Sequence, residues 1–292
     1  MINFALFAST VLIWGTTWIA IAFQIGTVDL VVSVFYRFAL ACVVFLVGLA
    51  LLGRLKLPAQ WRFVVLQALC LFSFNFLCFY QATSLMPSGL VSVIFSLATI
   101  FNAINARILF GAPIQSKTVL AGGIGAAGLV LLFWHDLTVS FDIKVIQGIG
   151  WATMGTMLFS LGNMVSRKNT QHGVRPVIAN AWGMGIGSIV LLGVAAVTGA
   201  TFTLPLTPTY IGALVYLSVI GSVVGFSTYL IMVARLGSDR AAYATVLFPV
   251  VALLMSTMFE GYVWHATSVA GIALTIAGNL VMFSRWPVRA TA

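Results

Sequence analysis

Between residues 3 and 284 the chain alternates long apolar runs with short polar breaks. The runs lie at 3–24, 30–53, 62–84, 88–110, 116–134, 145–166, 176–198, 209–234, 240–259 and 264–284. Most hold about 20 predominantly apolar residues, the length an α-helix needs to cross a hydrocarbon core of roughly 30 Å. The breaks carry turn chemistry, as in "GRLKLP" at 53–58, "MPSG" at 86–89, "GAP" at 111–113, "LPLTP" at 204–208 and "LGSD" at 236–239. The pattern predicts an all-α membrane protein with ten transmembrane helices, numbered one to ten.

Composition supports this reading. Apolar residues make up 61% of the chain and charged residues 7%, where a soluble domain carries roughly 25% charged. The formal charge of +9 would suggest nucleic acid in a soluble protein; here it is read as topology, and no nucleic acid is expected. Arg54, Lys56, Arg62, Arg107, Lys117, Arg167, Lys168, Arg175, Arg235, Arg240, Arg285 and Arg289 all fall at one set of alternate helix ends. Lys144 falls at the other set, and Arg37 lies within helix two. Since cytoplasmic loops are enriched in Lys and Arg, both termini are placed in the cytoplasm of a multi-pass protein of the bacterial inner membrane. The N-terminal run lacks a basic n-region and a small-residue cleavage site, so it reads as a retained first helix. Cys42, Cys70 and Cys78 lie in apolar runs without C-x-x-C spacing and suggest neither disulfides nor a metal.

A shift of 150 residues sets "SLATIFNAINARILFG" (96–111) on "VLFPVVALLMSTMFEG" (246–261) and "AAGLVLLF" (126–133) on "IAGNLVMF" (276–283). Gly111 then falls on Gly261, Gly128 on Gly278 and Phe133 on Phe283. A five-helix unit used twice must insert in opposite orientations, because five crossings is an odd number. The expectation is two inverted five-helix repeats, 1–134 and 145–284, followed by a short cytoplasmic tail at 285–292.

These residues resemble the drug/metabolite transporter superfamily, and within it the ten-helix EamA-type exporters. The resemblance runs over nearly the whole chain. It rests on "WGTTW" (14–18), "FYRFALA" (35–41), "FYQATSLMPSGLVSVIFSLATIFNAINARILFG" (79–111) and "YLIMVARLGSDRAAYATVLFPVVALLMSTMFEG" (229–261), followed by the Gly-rich helices five and ten. Two positions depart from the pattern: Thr99 stands where a proline is common in helix four, and "FGAP" replaces the Gly-Glu pairing that the second half keeps at Glu260 and Gly261. The resemblance implies a central cavity enclosed by helices one, three, four, six, eight and nine, and export of amino acids or related metabolites.

The chemistry available to such a cavity is mostly uncharged. Trp14 and Trp18 stand one turn apart in helix one beside Thr17. Asn75, Phe79 and Tyr80 come from helix three, Trp151 and Asn163 from helix six, Tyr229 from helix eight and Tyr243 from helix nine. In helix four, Ser96 precedes Thr99, Asn102 and Asn105, which fall on one face at i, i+3 spacing. That stripe serves either a substrate or interhelical hydrogen bonds. Arg37 stands about eight residues into helix two, roughly 12 Å of helix length from its outer end. Two roles are open to it: attracting a substrate carboxylate, or snorkelling outward to carbonyl oxygens and Asp29. Pro249 removes a backbone hydrogen bond in helix nine and is the candidate hinge. Glu260, beside "GYVWH" at the outer end of helix nine, reads as a cap or loop brace.

No Asp, Glu or His occurs in the central part of any run. A proton relay needs such a group, so facilitated diffusion by alternating access is expected. Catalytic motifs such as G-x-S-x-G and H-E-x-x-H are absent from the sequence. The expected protein is a transporter rather than an enzyme, without metal or cofactor, whose partners are a small-molecule substrate and the lipid bilayer. Export of other amphipathic metabolites or drugs, proton-coupled antiport, and monomer against homodimer stay open at this stage.

Overall fold

A computed structural model describes residues 2–114, 116–135, 142–236 and 244–283, and the elements below are those of the described residues. Spans one and two are α1 (Ile2–Ala22) and α2 (Leu30–Leu51). Span three is α3 (Trp61–Leu71) and α4 (Phe74–Thr83); span four is α5 (Ser88–Ser96) and α6 (Ala98–Phe110). Spans five to seven are α7 (Ser116–Leu132), α8 (Ile143–Gln171) and α9 (Pro176–Thr198). Span eight runs through α10 (Pro208–Val215), a π-helical segment (Tyr216–Val224) and α11 (Gly225–Leu236). Spans nine and ten are α12 (Ala244–Phe259) and α13 (Ala266–Phe283). Bulky apolar side chains such as Leu51, Ile108, Val197 and Met258 stand outward, an arrangement that lipid solvates at little cost and water does not. The protein is a multi-pass membrane protein.

Three spans are less regular than their hydropathy predicts, and each irregularity finds its own bonds. Span three breaks at Phe72 and Ser73, where the Ser73 hydroxyl donates to the Ala68 and Leu69 carbonyls at 3.0 and 2.9 Å and so satisfies acceptors freed by the break. Span four breaks at Leu97 (φ −74°, ψ 0°) and restarts with the Ile100 amide donating to Leu97 O at 2.9 Å. That break needs no proline. Span eight widens into the π segment, where the Ser222 hydroxyl reaches back five residues to Leu217 O at 2.9 Å.

The two halves interlock so that the packing maps onto itself when they are exchanged. Span one packs on span nine as span six packs on span four; span three packs on span six as span eight packs on span one; span three packs on span seven as span eight packs on span two. Spans two and seven, four and nine, and five and ten pair across the relation. This is the two-fold pattern of inverted repeats. It recurs in the backbone: Gly111 after span four and Gly261 after span nine both take left-handed φ, +67° and +69°, which a residue with a Cβ adopts only at a cost. The seam between α7 and α13 is backbone against backbone. A Cβ on Gly128 would lie 2.7 Å from Gly271 O and from the Thr275 amide nitrogen, so only glycine permits this approach.

Candidate functional site

At the middle of the interlocked halves lies a cavity whose walls are aromatic. Its volume is about 60 Å³. Span one gives Trp14, Thr17, Trp18 and Ile21; span three gives Asn75, Phe76 and Phe79. Phe95 of span four, Phe159 of span six, Gly221 and Phe226 of span eight and Phe248 of span nine complete the wall, together with Arg37 of span two. The rings lock one another through edge-to-face and tilted contacts. Trp18 meets Phe79 at 5.4 Å and Phe95 at 5.6 Å between centroids, Phe95 meets Phe159 at 4.6 Å, and Trp14 meets Phe226 at 5.6 Å. Such contacts fix ring orientation as well as bury area.

Two polar side chains in this wall are buried without full hydrogen bonding. Arg37 is 3% exposed, and its guanidinium lies 4.4 Å from the Phe76 ring centroid and 5.3 Å from that of Phe38. Its Nε donates a long bond to Ser222 Oγ at 3.4 Å, the Tyr80 hydroxyl lies beside the guanidinium, and its Nη1 has no partner among the described residues. The π segment matters here, because it brings Ser222 and the bare backbone of Gly221 up to the guanidinium. Asn75 has no exposed surface, and neither its Nδ2 nor its Oδ1 has a partner among the described residues. Of the two roles open to Arg37, snorkelling to Asp29 is not what the structure contains: Asp29 accepts from the amide and hydroxyl of Thr201 at 2.6 and 3.1 Å.

The remaining sequence candidates divide by their surroundings. Thr17 lines the cavity, but its hydroxyl donates to Trp14 O at 2.8 Å. Tyr229 stands behind the wall, 4.9 Å from Trp14 between ring centroids. Tyr80 is fully buried and donates to Gln24 Oε1 at 2.7 Å. The helix-four stripe faces neighbouring helices rather than the aromatic chamber. Thr99 donates to Asn279 at 3.2 Å, Asn163 to Asn102 at 3.3 Å, and Asn105 to Ser160 at 2.9 Å, while Ser96 donates to Val93 O at 2.7 Å. Trp151 is 40% exposed on the outside of the bundle. Pro249 is buried within the continuous helix α12. Tyr243 and the tail at 285–292 lie outside the described residues. The phenylalanines at 76, 95, 159, 226 and 248 carried no distinguishing signal in the sequence; Phe95, one residue before Ser96 on the repeat-matched helix, offered the nearest thing to one.

The N-terminal end of span four and the C-terminal end of span nine are tied together. The Glu260 carboxylate accepts from the Ser88 amide, 3.1 Å to each oxygen, and from the Ser88 hydroxyl at 2.6 Å; Ser256 donates to the same carboxylate and accepts from the Gly89 amide at 2.8 Å. A carboxylate at the first turn of α5 satisfies amides that the helix cannot and complements its dipole. Glu260 therefore caps a helix of the opposite half. The repeat shift sets Phe110 at the corresponding position of span four, so this tie has no acidic twin.

Comparison with known proteins agrees with this architecture. A solved crystal structure superposes with a TM-score of 0.70 at 17% identity, covering 96% of this chain and 95% of that one, which shows the shared fold. A probable amino-acid metabolite efflux pump of Salmonella typhimurium is 24% identical over 222 residues, 71% of each chain. Protein PecM of Dickeya dadantii is 25% identical over 293 residues, 97% of this chain and 94% of that one. A probable terminal-alkyne amino-acid exporter of Streptantibioticus cattleyicolor is 23% identical over 219 residues, 68% of this chain and 65% of that protein. The EamA-like transporter family matches residues 1–134 and again 146–284. With two family-matched halves interlocked around one cavity, the chain belongs to the EamA-like transporter family, within the drug/metabolite transporter superfamily.

Proposed function

We propose that this transporter exports small metabolites, chiefly amino acids with aromatic or neutral ones among them, from the cytoplasm across the inner membrane. The observation that carries the reading is the aromatic cavity itself: it lies between the halves, takes wall residues from both, and keeps polar atoms that no protein group satisfies. Apolar pockets with a few convergent polar groups are what small molecules bind, and a site between inverted repeats is what alternating access needs. The names of the Salmonella and Streptantibioticus relatives support amino acids as the cargo. The basic residues gathered at one set of helix ends support cytoplasmic termini.

Movement down the substrate gradient fits the cavity, since among the described residues no carboxylate or imidazole lines it to pick up a proton. Uptake of labelled amino acids into proteoliposomes, with and without an imposed pH gradient, tests the proposal. Saturable flux that is indifferent to the gradient is expected. A strong dependence on the gradient would replace facilitated diffusion by antiport, and no flux of any amino acid would remove the cargo assignment.

A further inference from the structure

We infer that the cavity recognises its ligand by the carboxylate, through Arg37 and Asn75, and that an ammonium group on the ligand is dispensable. This rests on the reading above, that the cavity is the substrate site.

Among the described residues Arg37 is the one cationic side chain in the wall, and no acidic side chain lines it. The three acids among the described residues are occupied elsewhere, Asp29 by Thr201, Asp142 by the Lys144 amide, and Glu260 by Ser88 and Ser256. A guanidinium kept without a counter-charge in an apolar chamber attracts an anion far more strongly than one in water, because little solvent screens it. The free Nη1 and the Asn75 amide nitrogen are donors with nothing to bond, and a carboxylate offers two acceptor oxygens for such donors. Phosphate would leave acceptors over, and Arg37 alone does not match its charge. The aromatic rings then take an apolar body behind the carboxylate. For an ammonium the described wall supplies Asn75 Oδ1, the Thr17 hydroxyl oxygen and ring faces, with no carboxylate and beside a like charge. Amphipathic monocarboxylates without an amino group, such as aryl-alkanoates and 2-oxo acids, are therefore ligands alongside amino acids.

The test compares three probes of one shape: phenylalanine, 3-phenylpropionate, which lacks the ammonium, and phenylalaninamide, which lacks the carboxylate. Binding to the purified full chain in lipid nanodiscs is measured by isothermal titration, and flux in proteoliposomes. Phenylalanine and 3-phenylpropionate are expected to bind within about fivefold of each other, and the amide roughly 10- to 100-fold more weakly, the range for a hydrogen bond to a charged group. Arg37→Gln abolishes that preference. Asn75→Asp, which gives Arg37 an internal counter-ion and so keeps the fold if Arg37→Gln does not, inverts it in favour of the amide. Equal binding of amide and acid, or a preference untouched by Asn75→Asp, overturns the inference. Equal flux of amide and acid does so while leaving the transport reading intact; selective carboxylate binding with no flux sustains the site and removes transport of these cargoes; neither binding nor flux overturns both.

Discussion

Arg37 with Asn75, and Gln67 with Asn169 and Asn180, are polar clusters of nearly equal burial inside one bundle. The second is bonded within itself: Gln67 donates to Asn180 at 2.8 Å and accepts from Asn169 at 2.8 Å, tying spans three, six and seven, with only Asn169 Oδ1 left over. The first has an unpartnered guanidinium nitrogen and an amide with neither end satisfied. In a medium without water, a polar group that meets its neighbours is glue, and one that does not keeps its bonding capacity open. Burial does not separate the two clusters; charge and partner count do.

Four substitutions break or sharpen that contrast. Asn75→Leu removes no protein hydrogen bond, so the melting temperature in detergent is expected to hold or rise, while affinity for a carboxylate probe falls on the order of tenfold; titration and thermal melts on one sample check both. Gln67→Leu breaks two interhelical bonds at about 0.6 kcal/mol each, so a loss of about 1.2 kcal/mol in reversible unfolding is expected, with acid-over-amide preference intact. Glu260→Gln keeps an acceptor at Ser88 but loses the charge that complements α5, a cost of about 0.5–1 kcal/mol, read as lower stability with cavity affinity unchanged. Asn102→Leu removes a single long bond to Asn163 and should cost about 0.6 kcal/mol or less. Were Asn102→Leu to alter ligand preference, the helix-four stripe would rejoin the site.

Much of the fold was legible because lipid forces one length and one polarity on every crossing, and the order of ten runs follows from that alone. The breaks at Ser73 and Leu97 were not legible. Both fall inside unbroken apolar runs, and the groups they free are satisfied by a serine hydroxyl or a displaced amide, which leave no mark on hydropathy. In the site, Arg37 stood out because a charge in a span is rare, and Trp14 and Trp18 because tryptophan away from the interfaces is rare. Asn75 and Phe79 were found with them. Phe76, Phe95, Phe159, Phe226 and Phe248 were lost among 22 phenylalanines, since a ring facing lipid and a ring facing a cavity are the same letter. Thr99, Asn102 and Asn105 stand at the expected i, i+3 spacing, but Thr99 bonds to span ten and the two asparagines to span six.

Enclosure of the Arg37 guanidinium by phenylalanine rings has a consequence for the surroundings in which the protein works. Dissolved ions weaken attraction between exposed charges over a Debye length of about 8 Å at physiological ionic strength, and weaken buried pairs much less. An anion drawn into this chamber therefore feels nearly the same pull in dilute buffer and in brine, whereas a carrier that gathers its cargo on surface lysines loses its grip as salinity rises.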